Sequence, residues 1–241
     1  CGVLLAARGA AAPAGGQAAV QGQLRLGRGL PVVGATILLR PASNRSQLYV
    51  TATDETGSFR IDGLENGTYR LEARREGLEP LVKEAILVRY PYRAIVEATM
   101  NKVARSEENT GEASASLSRS SVWRVEGVVQ DHRGAPLAEV RLRLVRPDGS
   151  EDPVVTVTRF DGTFEIEGVR GGLWNAEVLG GGFLPLRFAL PLEESARLHA
   201  RLVPYPIGYV PTPEDLMPPE EPIPPADLLD EAPGTSPRPS S

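Results

Sequence analysis

The sequence predicts an all-β protein: two tandem seven-stranded β-sandwiches followed by an extended, proline-rich C-terminal tail. Three observations predict it. Thr53-Asp54-Glu55-Thr56-Gly57-Ser58-Phe59-Arg60-Ile61-Asp62-Gly63-Leu64 reads as a turn and an alternating strand, and Asn66-Gly67-Thr68-Tyr69-Arg70-Leu71 as a second turn and strand. The same pattern returns 105 residues later at Thr158, Gly162, Phe164, Ile166, Gly168, Gly172 and Trp174. Of the 22 prolines, 12 fall after residue 203. Fixed φ and a missing amide donor exclude that segment from sheet interior and long helix.

Residues 1–19 are small, polar or unperiodic, the composition of a flexible tether. Residues 20–100 hold the first sandwich. Val20, Gly22, Leu24 and Leu26 alternate as its first strand, and Gly27-Arg28-Gly29-Leu30-Pro31 makes a turn. Ala35, Ile37 and Leu39 mark the second strand, and residues 48–53 the third. The opening motif supplies the next two, with Phe59, Ile61, Tyr69 and Leu71 facing inward. Residues 81–88 read as a strand or a helical turn, and Ala94, Val96, Ala98 and Met100 close the set.

Residues 101–122 are polar and aperiodic up to Trp123, a linker or exposed loop. The second sandwich spans residues 123–203. Gly22 pairs with Gly127, Pro31 with Pro136, Leu39 with Leu144, Pro80 with Pro185 and Leu81 with Leu186, without a gap. The register slips at the last strand, where Leu198, Ala200 and Leu202 take the inward positions. Residues 204–241 form the tail, extended and largely polyproline II. Its spaced apolar residues offer anchors for docking along the protein's own sandwich or a partner's surface: Tyr205, Tyr209, Leu216, Met217, Leu228 and Leu229.

Charge narrows the function. After Tyr205 seven acidic residues face one arginine, and the rest of the chain is nearly neutral. That distribution lacks the basic footprint of nucleic-acid binding. No apolar run reaches the 18 residues of a membrane helix.

Catalytic constellations are not legible either. His132 and His199 lie on different elements, away from cysteine or clustered carboxylates, so no metal site is expected. Asp54, Asp62, Asp131 and Asp161 sit in or beside turns where aspartate caps its own backbone more readily than it binds calcium. Gly180-Gly181-Gly182 lacks the lysine and helix of a phosphate loop and reads as a bend before Phe183. The alternative to a protein-binding role is a carbohydrate-binding envelope module. Its candidate platform is thin: Trp174 occupies an inward position, Trp123 packs between domains or is exposed, and Tyr49, Tyr90 and Tyr92 lie near strand ends.

Gly127-x-Val129, Asp131-His132-Arg133-Gly134-Ala135-Pro136-Leu137, Thr53-Asp54-Glu55-Thr56-Gly57-Ser58-Phe59 and the following Gly-aromatic pairs resemble the carboxypeptidase regulatory-like domain. The resemblance implies a transthyretin-like sandwich in each copy, usually without activity of its own. Asn66 and Gly171 stand where that family often has proline, and Trp174 where it has tyrosine.

Cys1 reads either as a fragment boundary or, by resemblance to mature bacterial lipoproteins, as a lipid-modified residue. The expectation is then a non-enzymatic scaffold or accessory subunit without cofactor. It would be anchored through Cys1 at the periplasmic face of a bacterial envelope membrane and bound to a larger protein complex.

Overall fold

A computed structural model describes residues 18–27, 29–103 and 121–208, and all of them lie in one compact unit ending at Gly208. Among the described residues the structure is all strand and turn, with no helix. The first strand set comprises β1 (Ala18–Leu26), β2 (Thr36–Pro41), β3 (Gln47–Ala52), β4 (Ser58–Leu64), β5 (Gly67–Arg74), β6 (Leu81–Val88) and β7 (Arg93–Met100). The second comprises β8 (Val122–Asp131), β9 (Arg141–Val145), β10 (Val154–Val157), β11 (Thr163–Arg170), β12 (Gly172–Leu179), β13 (Leu186–Leu192) and β14 (Ala196–Leu202).

Pairing repeats between the sets. β1 lies between antiparallel β4 and parallel β7, and β8 lies between antiparallel β11 and parallel β14. The remaining strands run β3-β2-β5-β6 in one set and β10-β9-β12-β13 in the other. Each set thus places a three-stranded sheet over a four-stranded one, with an apolar core between, the layout of a β-sandwich.

The repeated glycines follow from this layout. A Cβ at Gly22 would overlap the carbonyl oxygen of Val96, and one at Gly127 that of Leu198. The parallel neighbour approaches closest there, so both copies keep glycine. Residues 81–88 form a strand, not a helical turn, with a register shift against β5 and Ala85 at φ 55°.

The inward residues read from sequence fill the cores. Phe59, Ile61, Tyr69 and Leu71 are buried in the first, and Phe164, Ile166 and Trp174 in the second. Each such side chain contributes about 1.5–3 kcal/mol.

The two sets share a sheet. β14, at one edge of the second three-stranded sheet, pairs in parallel with β3, at one edge of the first four-stranded sheet. A continuous seven-stranded sheet results, in the order β11-β8-β14-β3-β2-β5-β6. Its β3-β2 portion is buried on both faces. Ile37, Leu39 and Tyr49 face the first core, while Leu38, Leu48, Val50 and Ala52 belong to the second.

Strand polarity places Ala18 and Leu202 at opposite ends of the described strands. Ala19 is level with Arg93, beside the β6–β7 turn, and Arg197 is level with Gln47 at that same end. β14 then runs away from it, so the segment before Ala18 joins at one end and the chain leaves at the other.

Candidate functional site

The seam between β14 and β3 is built by backbone and side chains together. The Arg197 amide donates to the Ser46 carbonyl (2.7 Å), and the pairing continues from Leu198 opposite Leu48 to Arg201 opposite Thr51. Leu198 and Ala200 enter the second core on one face. On the other face His199 stacks on Tyr49, ring centroids 5.0 Å apart and planes 22° from parallel. Tyr49 in turn meets Tyr69 edge-on at 6.4 Å. Arg201 donates to Asp62 Oδ2 at 2.8 Å, tying β14 to β4, and Arg60 chelates the same carboxylate.

Electrostatics follow from this packing. Burial raises the Asp62 pKa, but hydrogen bonds from Arg60 and Arg201 outweigh it and hold the carboxyl below its ordinary value. Burial, then the neighbouring Arg197, lowers the His199 pKa. Its Nε2 is buried without a hydrogen-bond partner. Burial and the neighbouring Tyr49 push the Tyr69 hydroxyl up to about 12. Each shift follows from packing in the seam.

His199 alternates outward from its own core, as its spacing predicts. That outward side is covered by the first strand set. The double burial of β2 and β3 is what strand-by-strand alternation missed. A signal was present: Ile37-Leu38-Leu39 and Leu48-Tyr49-Val50 are apolar runs, the mark of strands covered on both faces.

Where the chain leaves, it borders a groove of about 690 Å³. Arg60, Ile95, Glu97, His132, Tyr205 and Ile207 contribute to its walls. Tyr205 is half-buried against the second core, and its amide donates to the Gly182 carbonyl (3.0 Å). The first residues of the predicted tail, 204–208, therefore belong to the folded body. Tyr205 is an anchor on its own chain.

The other sequence-derived candidates sort by packing. Asp54 accepts from the amides of Thr56 (2.8 Å) and Ser58 (3.0 Å), and Asp131 from those of Arg133 and Ala135 (both 2.8 Å). Asp161 takes the Thr163 amide and hydroxyl. All three cap turns. Burial raises the Asp131 pKa, but the amide bonds together outweigh it and hold the carboxyl below its ordinary value; the Thr163 bonds lower that of Asp161. Among the described residues no group of three His, Cys, Asp or Glu side chains is placed to hold a metal ion.

Trp174 is 1% exposed, donates Nε1–H to the Arg170 carbonyl (2.9 Å) and carries the Arg146 guanidinium over its ring at 4.3 Å. It is core, not a sugar platform. Trp123 is half-buried against the second core, beside Asn44, Ser46 and Gln47 of the first set. Tyr90 and Tyr92 are exposed at the β6–β7 turn, whereas Tyr49 is buried in the seam. Cys1, Tyr209, Leu216, Met217, Leu228 and Leu229 lie outside the described residues.

Comparison with solved structures finds matches at low similarity only. The Bacillus anthracis TIE protein is 14% identical with a TM-score of 0.32, over 78% of this chain and 34% of that one, so this chain spans about a third of its length. GBS52, the minor pilin of Streptococcus agalactiae, is 12% identical with a TM-score of 0.31, over 82% of this chain and 100% of that one. BcpA, the major pilin subunit of Bacillus cereus, is 9% identical with a TM-score of 0.30, over 78% and 99%. Likeness of this order says nothing of what the chain binds. No curated protein matches the sequence. Residues 19–101, which hold nearly all of the first strand set, match the carboxypeptidase regulatory-like domain, and by that match the chain carries one such domain.

Proposed function

We propose that this protein is a non-enzymatic scaffold or accessory subunit of a bacterial envelope. In this reading the second strand set is a second transthyretin-like copy of the carboxypeptidase regulatory-like domain. Cys1 carries lipid at the periplasmic face of a membrane, and the proline-rich tail engages a larger protein complex. One observation carries the reading: the chain enters the folded body at one end and leaves it at the other. Strands of seven or eight residues separate those ends by roughly 25 Å. The seam joins both sets along that axis, so Ala18 and Leu202, the points from which the two flanking segments depart, lie at opposite ends.

The tail supplies the recognition. A proline-stiffened segment loses less conformational freedom on binding. Tyr209, Leu216, Met217, Leu228 and Leu229 offer side chains to pockets, and the acidic groups favour a basic partner surface.

Truncation after Gly208 tests the proposal. The truncated protein should keep its unfolding midpoint and lose copurification with native partners in mild detergent. Full-yield copurification would place the partner surface elsewhere. Mass spectrometry of the native N-terminal peptide tests the anchor separately, an unmodified Cys1 ruling it out.

A further inference from the structure

Six strands end a sheet among the described residues: β4, β6, β7, β10, β11 and β13. Five are interrupted in ways that discourage another strand from pairing. β6 carries the register shift and Ala85 at positive φ. β10 has four residues and follows Pro153. β11 shifts register between Ile166 and Val169, β13 contains Pro191, and β4 contains Gly63 at φ 79° beside a shift in β1. β7 is different. It pairs with β1 over eight residues, Arg93 to Met100, without a shift, and holds no proline.

The counterpart of β7 shows what such an edge does. Val96 lies opposite Gly22 as Leu198 lies opposite Gly127, so Ile95 corresponds to Arg197. The Arg197 amide points away from β8 and bonds a strand of the other set. By the same alternation the backbone groups of Arg93, Ile95 and Glu97 point away from β1, toward the open edge. Their side chains share one exposed face, and Ile95 is 68% exposed at its centre.

The geometry points to a second copy of this chain as the partner of β7, paired antiparallel about a twofold axis through Ile95. In that register Ile95 meets Ile95 of the other copy, and Arg93 meets Glu97 in both directions. The edge is therefore complementary to itself in backbone, in its apolar centre and in charge. The corresponding face of β14, with Arg197, His199 and Arg201, would oppose like charges in the same arrangement, and β3 already occupies its edge.

Sedimentation of the full chain from roughly 1 µM to 1 mM tests this, because a short edge contact forms a dimer in that range. The wild type should pass from monomer to dimer with no larger species. Glu97→Arg and Arg93→Glu, each placing like charges opposite at both symmetric positions, should weaken the dimer about tenfold or more. The double variant R93E/E97R should restore it. Both substituted positions are exposed, so far-UV circular dichroism should remain that of the wild type. A monomer throughout the range would overturn the proposal, another chain segment then covering β7. A dimer indifferent to the single variants, or one the double swap does not rescue, would overturn it equally by placing the contact elsewhere.

Discussion

β3 and β10 occupy the same place in the repeat and have opposite fates. Val50 and Ala52 are each 1% exposed, whereas their counterparts Val155 and Val157 are 48% and 55% exposed. Around β3 the sequence supplies Leu38 and Leu48; around β10 the same positions hold Arg143 and Pro153. Equivalent edges form an interface in one strand set and are blunted in the other. Two changes suffice physically: a guanidinium resists burial under an apolar sheet, and a proline removes an edge donor.

That contrast can be broken by placing a charge on each strand. Val50→Asp buries an unpaired carboxylate against Leu198 and Ala200 and should cost about 4 kcal/mol in denaturant unfolding. Val155→Asp, at the equivalent exposed position, should stay within about 0.5 kcal/mol. Equal effects at the two sites would show that the seam does not form in solution.

A smaller effect sharpens the same point. Leu48→Ala leaves a cavity in the second core although the residue belongs to the first set, so about 2–3 kcal/mol should be lost. Because the core is shared, both sets should then unfold together at the lower midpoint. A change confined to the first set, read by hydrogen exchange, would separate the cores.

Asp62→Asn removes the charge that Arg201 and Arg60 share across the seam and should cost about 1 kcal/mol, both partners being partly solvated. Asp62 has its pKa lowered on folding, so its stabilisation is present above the unfolded value near 4 and is lost as pH falls through the folded value. The Asn variant should therefore match the wild type more closely below about pH 3 than at pH 7.

His199 gives the smallest effect. Its pKa is lowered on folding, so the unfolded chain binds the extra proton first and stability declines as pH drops below about 6.5. The decline levels off below the folded value. His199→Phe keeps a ring on Tyr49 and should flatten that slope between about pH 7 and 5. An unchanged slope would assign it to other groups.

Much of this was legible in residue order. Alternation located the strands, the offset of 105 paired Phe59 with Phe164 and Tyr69 with Trp174, and these side chains are buried where the pattern put them. Asp54, Asp131 and Asp161 cap turns as their spacing required, whereas Asp62 binds Arg60 and Arg201. The site was less legible. Tyr205 reads as an anchor for either the protein's own sandwich or a partner; its amide bond to Gly182, which decides between them, depends on a turn 23 positions earlier.

By itself, then, the sequence determined which residues form strands, which face of each strand is apolar, and that the set of strands occurs twice. Side-chain chemistry carries that information locally, because alternate residues of a strand face opposite ways. Which edge meets which was decided by tertiary structure alone. Most strands present similar rows of N–H and C=O groups along their edges, so the pairing groups alone do not say which edge β14 takes, and the apolar runs at residues 37–39 and 48–50 mark double burial without naming the partner. That choice rests on what lies above and below each edge once the sheets have stacked: Leu38 and Leu48 over the second core in one place, Arg143 and Pro153 in the other.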